Sequence, residues 1–201
     1  MPITVSGTTI TFNDSTTQTT APVAGASGGQ FAQVFTSSGT FTIPTGVTGL
    51  YVQVVGGGGG GGGNSGQDAI AGSGGNGGYT RQWFTGLTAG NTLTITVGGA
   101  GTAGSSTGAG GTGGTSSIAS GTQTVTTCNA TGGTGGGPAT SGGDGANGSG
   151  GGGTTTFLNS SIASPNTINP FVNYGLGGAG RGSFSTGSGN AGNAGIVVIN
   201  Y

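Results

Sequence analysis

The sequence predicts an all-β protein in which short antiparallel strands pack with a slab of polyglycine-II helices and no segment is α-helical. Three observations carry that expectation. Gly, Thr and Ser, at 55, 35 and 20 of the 201 residues, make up more than half of the chain. Leu, Ile, Val and Phe number only 35, fewer than the roughly 20% below which a conventional aliphatic core becomes doubtful. The apolar residues that do occur alternate with Thr, the period of a strand, and nowhere recur every three or four positions as a helix requires.

Taken in order, residues 1–24 are poor in Gly and rich in Thr, with Gly7 between the alternating runs 3–6 and 8–12, so a β-hairpin or extended arm is expected there. Residues 21–29 carry Pro, Gly and Ala without periodicity and read as a linker, which divides an arm, 1–24, from a glycine-rich domain, 25–201. Phe31, Gln33 and Phe35 then alternate; Phe41 and Ile43 share one face of a strand that ends at Pro44 and a turn at Thr45-Gly46. Residues 50–55 form a strand that runs without a break into eight consecutive glycines, 56–63. A polar-aromatic cluster follows at 79–84. Residues 91–97 are a strand with Leu93, Ile95 and Val97 on one side and Thr on the other. Glycine-rich blocks fill 98–153 around a short strand expected at 122–128, the interval 154–174 is free of Gly, and Ile196 to Tyr201 close the chain as an apolar strand.

So much glycine has several possible uses, and spacing separates them. Residues 132–137 break any Gly-x-y register and only six prolines exist, which rules out collagen. A flexible linker does not alternate with well-patterned strands. What remains is that the glycine runs are themselves structural. Three-per-turn helices of the polyproline-II type pack side by side when no Cβ keeps them apart, with amides bonding to neighbouring helices. At about 3.1 Å per residue, residues 56–63 would span roughly 25 Å, and the loops joining such rods would gather at the two ends, where binding residues reside. Gly-x-Gly-x-x-Gly patterns recur without a following Lys-Ser/Thr or helical period, so no phosphate loop is expected.

The ionisable inventory is Arg81, Arg181, Asp14, Asp68 and Asp144, with no His, Glu or Lys and a net charge of −1. Proton transfer near neutral pH draws on the missing types, so no catalytic residue and no enzyme activity is expected. A glycan depolymerase would need two carboxylates about 5–9.5 Å apart, and the three aspartates stand in different segments. Cys128 is alone, so it forms no intrachain disulfide or thiolate cluster; it reads as a small buried apolar residue. No metal or cofactor is expected. Two arginines a hundred residues apart make no basic groove, so nucleic acid is not an expected partner. No apolar run reaches the length of a membrane span, and Met1-Pro2-Ile3-Thr4 has no secretory signal character.

Two stretches resemble bacteriophage tail proteins. Residues 10–21, Ile-Thr-Phe-Asn-Asp-Ser-Thr-Thr-Gln-Thr-Thr-Ala, are similar to a segment near the N-terminus of many phage tail-fibre and related virion proteins, with Ser15 where that segment has Gly. Residues 35–47, then Val52-Gln53-Val54-Val55 with the glycine run, Leu87 to Val97 and the closing 195–199, are similar to the glycine-rich domain of phage tail fibres, whose related adhesins are known for a sandwich of polyglycine helices with receptor-binding loops. The resemblance implies a virion protein made in the host cytoplasm, attached to other virion proteins through residues 1–24, with Ile10, Phe12, Asp14 and Gln18 in the attachment segment, and a host-cell surface receptor as the partner.

For a receptor-binding component, aromatic side chains that stack on sugar faces are the natural contacts. Tyr79, Arg81, Trp83, Phe84, Phe157, Phe171 and Tyr174 are the candidates for recognising a bacterial surface glycan or outer-membrane protein. The competing reading of each aromatic is a plug between sheet and slab. The competing function is a structural virion part, such as a capsid decoration, head fibre or collar component; an ice-binding or adhesive scaffold is a further alternative. So few apolar residues favour burial between copies, so a homo-oligomer, a trimer by analogy with fibres, is expected.

Overall fold

The computed structural model describes residues 4–6, 9–11, 17–18, 31–66, 68–140, 143–152, 173–182 and 186–201. The chain divides into two compact units, Met1–Gln30 and Phe31–Tyr201. In the first, β1 (Thr4–Ser6), β2 (Thr9–Thr11) and β3 (Thr17–Gln18) form an antiparallel sheet in that order. Val5 lies opposite Ile10 and Ile10 opposite Gln18, so two of the four residues expected from the sequence to serve attachment are cross-strand partners. Phe12 and Asp14 lie outside the described residues.

The second unit is all-β, with no helix among its described residues. Its strands are β4 (Ala32–Phe35), β5 (Gly39–Thr42), β6 (Gly49–Val55), β7 (Tyr79–Thr85), β8 (Thr92–Thr96), β9 (Ser116–Ser120), β10 (Cys128–Ala130) and β11 (Ile196–Asn200). They build two four-stranded antiparallel sheets, β10-β9-β8-β5 and β4-β11-β6-β7. Alternation along each strand turns one face of each sheet inward. Phe41, Leu93, Ile95, Ile118, Cys128 and Ala130 of the first sheet meet Leu50, Val52, Val54, Phe84, Val197 and Ile199 of the second in one buried cluster, which Ile43 and Leu87 complete. The 17% of large apolar residues suffices because it is concentrated here: Leu50, Val52, Val54, Leu93, Ile118, Val197 and Ile199 have no measurable exposure or almost none. Cys128 is among them, a buried apolar residue as its isolation in the sequence implied.

One strand differs from expectation. The alternation at 122–128 reads as a strand, yet β9 ends at Ser120 and β10 begins at Cys128. The intervening polar side chains bond to nearby backbone instead, as Ser and Thr readily do. Ser120 Oγ both donates to the Val125 carbonyl and accepts from the Val125 amide at 3.0 Å, and Thr122 Oγ1 accepts from the Thr92 amide at 2.8 Å.

Six strands continue directly into glycine-rich segments: β6 into 56–63, β8 into 98–105 and β10 into 131–139, while 69–78 leads into β7, 108–115 into β9 and 187–195 into β11. Two more segments, 144–152 and 175–182, complete the set. Residues 56–63 lie at its centre, and their hydrogen bonds repeat every third residue. Gly56, Gly59 and Gly62 donate to Gly78, Gly75 and Gly72; Gly57, Gly60 and Gly63 to Gly114, Gly111 and Gly108; Gly58 and Gly61 to Asn193 and Asn190, all at 2.8–3.0 Å. Their carbonyls accept from three other segments with the same period: Gly57 and Gly60 from Gly133 and Gly136, Gly58 and Gly61 from Gly101 and Gly104, Gly59 from Gly178. Donor targets run antiparallel to the central segment and carbonyl partners run parallel to it, giving six neighbours.

The transition from sandwich to lattice follows from loss of the side chain. Stacked sheets stand roughly 10 Å apart because side chains fill the gap. Where β6 gives way to glycine that spacer is gone, and the backbone reaches the continuations of β9 and β10 in the opposite sheet, at Gly57–Gly114 and Gly133–Gly57. A Cβ on Gly60 would overlap the carbonyl oxygen of Thr102, and each of its run-mates faces a neighbouring carbonyl in the same way. At the edge of the lattice, where glycine is no longer required, acceptor side chains meet backbone amides: Asp144 Oδ1 takes the Ile70 amide, Asn147 Oδ1 that of Ser73 and Asn76 Oδ1 that of Gly177.

Candidate functional site

The candidate site is the outer face of the β4-β11-β6-β7 sheet, and pairing of β7 with β6 builds it. Trp83 lies opposite Tyr51, Arg81 opposite Gln53, and Tyr79 opposite Val55. Alternation sends Thr80, Gln82 and Phe84 to the other side. Thr80 is buried and its Oγ1 donates to the Asn129 carbonyl at 2.7 Å, tying β7 to β10. Phe84 is 4% exposed and belongs to the sandwich core. This corrects its place among the receptor-contact candidates: a side chain held between two sheets touches no ligand, and the plug role is the one it has.

The row formed by Trp83 and Tyr51 is aromatic. Their ring centroids are 5.4 Å apart with planes inclined at 45°, and Trp83 is 65% exposed, the largest exposure of any bulky apolar side chain described. β11 extends the row with Asn200, whose Nδ2 donates to the Tyr51 carbonyl at 3.3 Å. The next row is Arg81, Gln53, Val198 and Val34, with Val34 55% exposed on the edge strand β4. Tyr79 Oη donates to Gln53 Oε1 at 2.9 Å, an arrangement that leaves the Gln53 amide group as a donor. Burial, and then the neighbouring Tyr51 phenol, push the Tyr79 pKa up against the opposing pull of Arg81. Tyr79 therefore stays a protonated donor throughout the neutral range.

Tyr174 reaches the same sheet face from a different segment: with Tyr79 it packs against Val55, Ile196 and Val198. Four of the seven sequence-chosen contact residues, Tyr79, Arg81, Trp83 and Tyr174, thus come to one face and Phe84 does not. Phe157 and Phe171 lie outside the described residues. Sequence reasoning missed Tyr51 and Gln53. Their signal was the alternation of 50–54, where an aromatic and an amide sit between the buried Leu50, Val52 and Val54, but only the pairing register places them beside Trp83 and Arg81.

Arg81 is exposed on this face, whereas the side chains of Asp68 and Asp144 belong to the far stretch of the glycine segments, with Asp144 Oδ1 accepting from the Ile70 amide at 2.8 Å. Among the described residues no group of three His, Cys, Asp or Glu side chains could hold a metal ion. Burial pushes the Cys128 thiol up to about 12, so it supplies no thiolate. What the face offers is stacking area, amide and phenol hydrogen bonding, and one guanidinium.

A comparison with curated proteins finds no match. The profile of a glycine-rich domain family matches residues 33–164, a span that begins within β4 and takes in β5 through β10 together with six of the eight lattice segments. With close to two thirds of its length covered, the chain belongs to the glycine-rich domain family.

Proposed function

We propose that this chain is a bacteriophage virion protein, a tail-fibre or receptor-binding component that attaches through residues 1–24 and recognises a bacterial surface glycan or outer-membrane protein. The observation that supports recognition is the exposure of Trp83 against Tyr51 on a sheet face where β7 pairs with β6 along its whole length. The exposed indole is tilted against a second ring, and a rigid aromatic pair is the surface on which a sugar ring or an aromatic partner docks with little entropy loss. In this reading the glycine segments are polyglycine-II-type helices. The three-residue repeat of their hydrogen bonds supports that assignment, and the slab they make is a stiff mount for the sheet.

The test is binding of fluorescently labelled full-length protein to a panel of intact bacteria, with and without stripped surface polysaccharide, beside the Trp83→Ala variant. Strain-selective labelling that the variant loses is the expected result. Binding of folded protein to no strain would overturn the adhesin reading and leave the structural virion role.

A further inference from the structure

We propose that the free edge of β4 is an interface for a second copy of this chain, the two β4 strands pairing antiparallel across a twofold axis at Gln33. β4 stands at the end of its sheet, and among the described residues it pairs only with β11. Phe31 and Tyr201 exchange both backbone bonds, amide to carbonyl, at 2.8 and 2.9 Å. In an antiparallel pair such residues alternate with others whose amide and carbonyl point the opposite way. Gln33 and Phe35, opposite Ile199 and Val197, therefore bond inward as Phe31 does. Ala32 and Val34 turn their amides and carbonyls outward.

That edge lacks the side chains that keep edge strands apart, since residues 31–35 include no charge and no Pro. Ala32, Gln33 and Val34 are exposed. Phe31 and Val34, at 48% and 55%, are two of the five bulky apolar side chains left exposed among the described residues. What selects a second copy over a foreign strand is that the sequence is its own complement. An axis at Gln33 sets Ala32 opposite the partner's Val34 and Val34 opposite the partner's Ala32. All four outward bonds then form together, with a small side chain beside each exposed valine. Phe31 falls opposite the partner's Phe35, an aromatic cross-strand pair. Gln33 meets itself, which a neutral amide allows because it both donates and accepts, whereas a charged residue would face its own charge. Five residues a side are far fewer than the roughly 20–30 of a standard interface, so the dimer is a weak one, with a Kd on the order of 100 µM.

Pairing at this edge makes one eight-stranded sheet with both outer faces on the same side. The two Trp83–Tyr51 rows then stand seven strand spacings apart, about 34 Å. On the adhesin reading, a cell surface with repeated receptors engages both rows and favours the dimer through effective concentration. Self-association itself does not depend on that reading.

The test is sedimentation equilibrium of the full-length protein from about 10 µM to 1 mM, where a monomer–dimer equilibrium is expected. Val34→Pro removes one outward amide from each copy and leaves the bonds to β11 in place, a substitution that an edge strand tolerates. Gln33→Lys puts like charges on the axis. Each should weaken dimerisation at least tenfold without shifting the thermal unfolding of the monomer, and if Val34→Pro disturbs the fold, Gln33→Lys carries the comparison. Gln33→Cys supplies the positive signal. A non-hydrogen-bonded pair on the axis has Cα atoms about 4.5 Å apart, within reach of a disulfide, and the buried Cys128 does not compete. Mild oxidation should convert Gln33→Cys to a disulfide dimer and leave Ala32→Cys, which faces the partner's Val34, monomeric. A monomer at every concentration, a trimer, a dimer that Gln33→Lys leaves intact, or equal cross-linking at positions 32 and 33 would overturn the proposal, and none of these outcomes requires that the protein label bacteria.

Discussion

Replacing Gly60 by Ala tests whether the glycine lattice is a packed interior. Gly60 donates to the Gly111 carbonyl at 2.8 Å and accepts from the Gly136 amide at 2.9 Å. Its Cβ would overlap the carbonyl oxygen of Thr102, so the methyl group fits only if segment 98–105 moves outward. That segment is held to the central run by Gly101 N to Gly58 O at 2.8 Å and Gly104 N to Gly61 O at 2.9 Å. Losing two such bonds costs about 1 kcal/mol each, and a buried carbonyl left without a partner adds about 1–3 kcal/mol. The lower entropy of the unfolded Ala chain offsets about 0.4–1 kcal/mol. The net expectation is a loss of about 3 kcal/mol in urea denaturation. Gly99→Ala is the matched control: nothing lies within 4 Å of its Cβ position, so it should be neutral or gain up to about 1 kcal/mol. If the Gly60 variant unfolds within about 0.5 kcal/mol of the Gly99 variant, the lattice yields easily and the reasoning that treats it as a close-packed interior is wrong.

The two neighbouring aromatics of β7 should behave oppositely. Phe84→Ala removes a core ring and should cost about 3–5 kcal/mol, whereas Trp83→Ala gives up only the contact with Tyr51, about 1 kcal/mol, and takes the cell binding with it; denaturation and labelling of bacteria measured on the same two variants check the pair. Alkaline stability should depend on Cys128. Its folded pKa is raised from 9.0 to about 12 by burial, so the folded state holds the proton more tightly and this contribution is complete below about pH 9 and lost as the pH climbs toward 12. At about 1.4 kcal/mol per pH unit, roughly 2 kcal/mol is gone by pH 10.5. The slope should be shallower by that amount in Cys128→Ala, measured by urea denaturation at pH 8 and 10.5.

Strands were legible where side chains alternate against Thr. Leu93 and Ile95 in β8 and Phe41 in β5 declare an inward face, and the sheet that forms follows it. The same logic misled at 122–128, because a Thr-Val alternation is also what a loop looks like when the Thr122 hydroxyl accepts the Thr92 amide and the Ser120 hydroxyl bonds to the Val125 backbone. The neighbours of residues 56–63 were not legible at all. A glycine has no side chain with which to specify a partner, so the run itself carries no record of the six segments around it. The strands that feed it hold that information: Val55 pairs with Tyr79, and this alone sets Gly56 beside Gly78 and starts the three-residue register. The site shares this dependence. The sequence marks 79–84 as unusual, and strand alternation, applied strictly, already separates Tyr79, Arg81 and Trp83 from Phe84. What it withholds is the partner row of Tyr51 and Gln53, which comes from strand pairing across a run of twenty-three residues. A stacking surface assembled from two strands is therefore specified by the pairing of those strands, and the glycine lattice that joins them fixes how far apart in sequence the two halves of the site can stand.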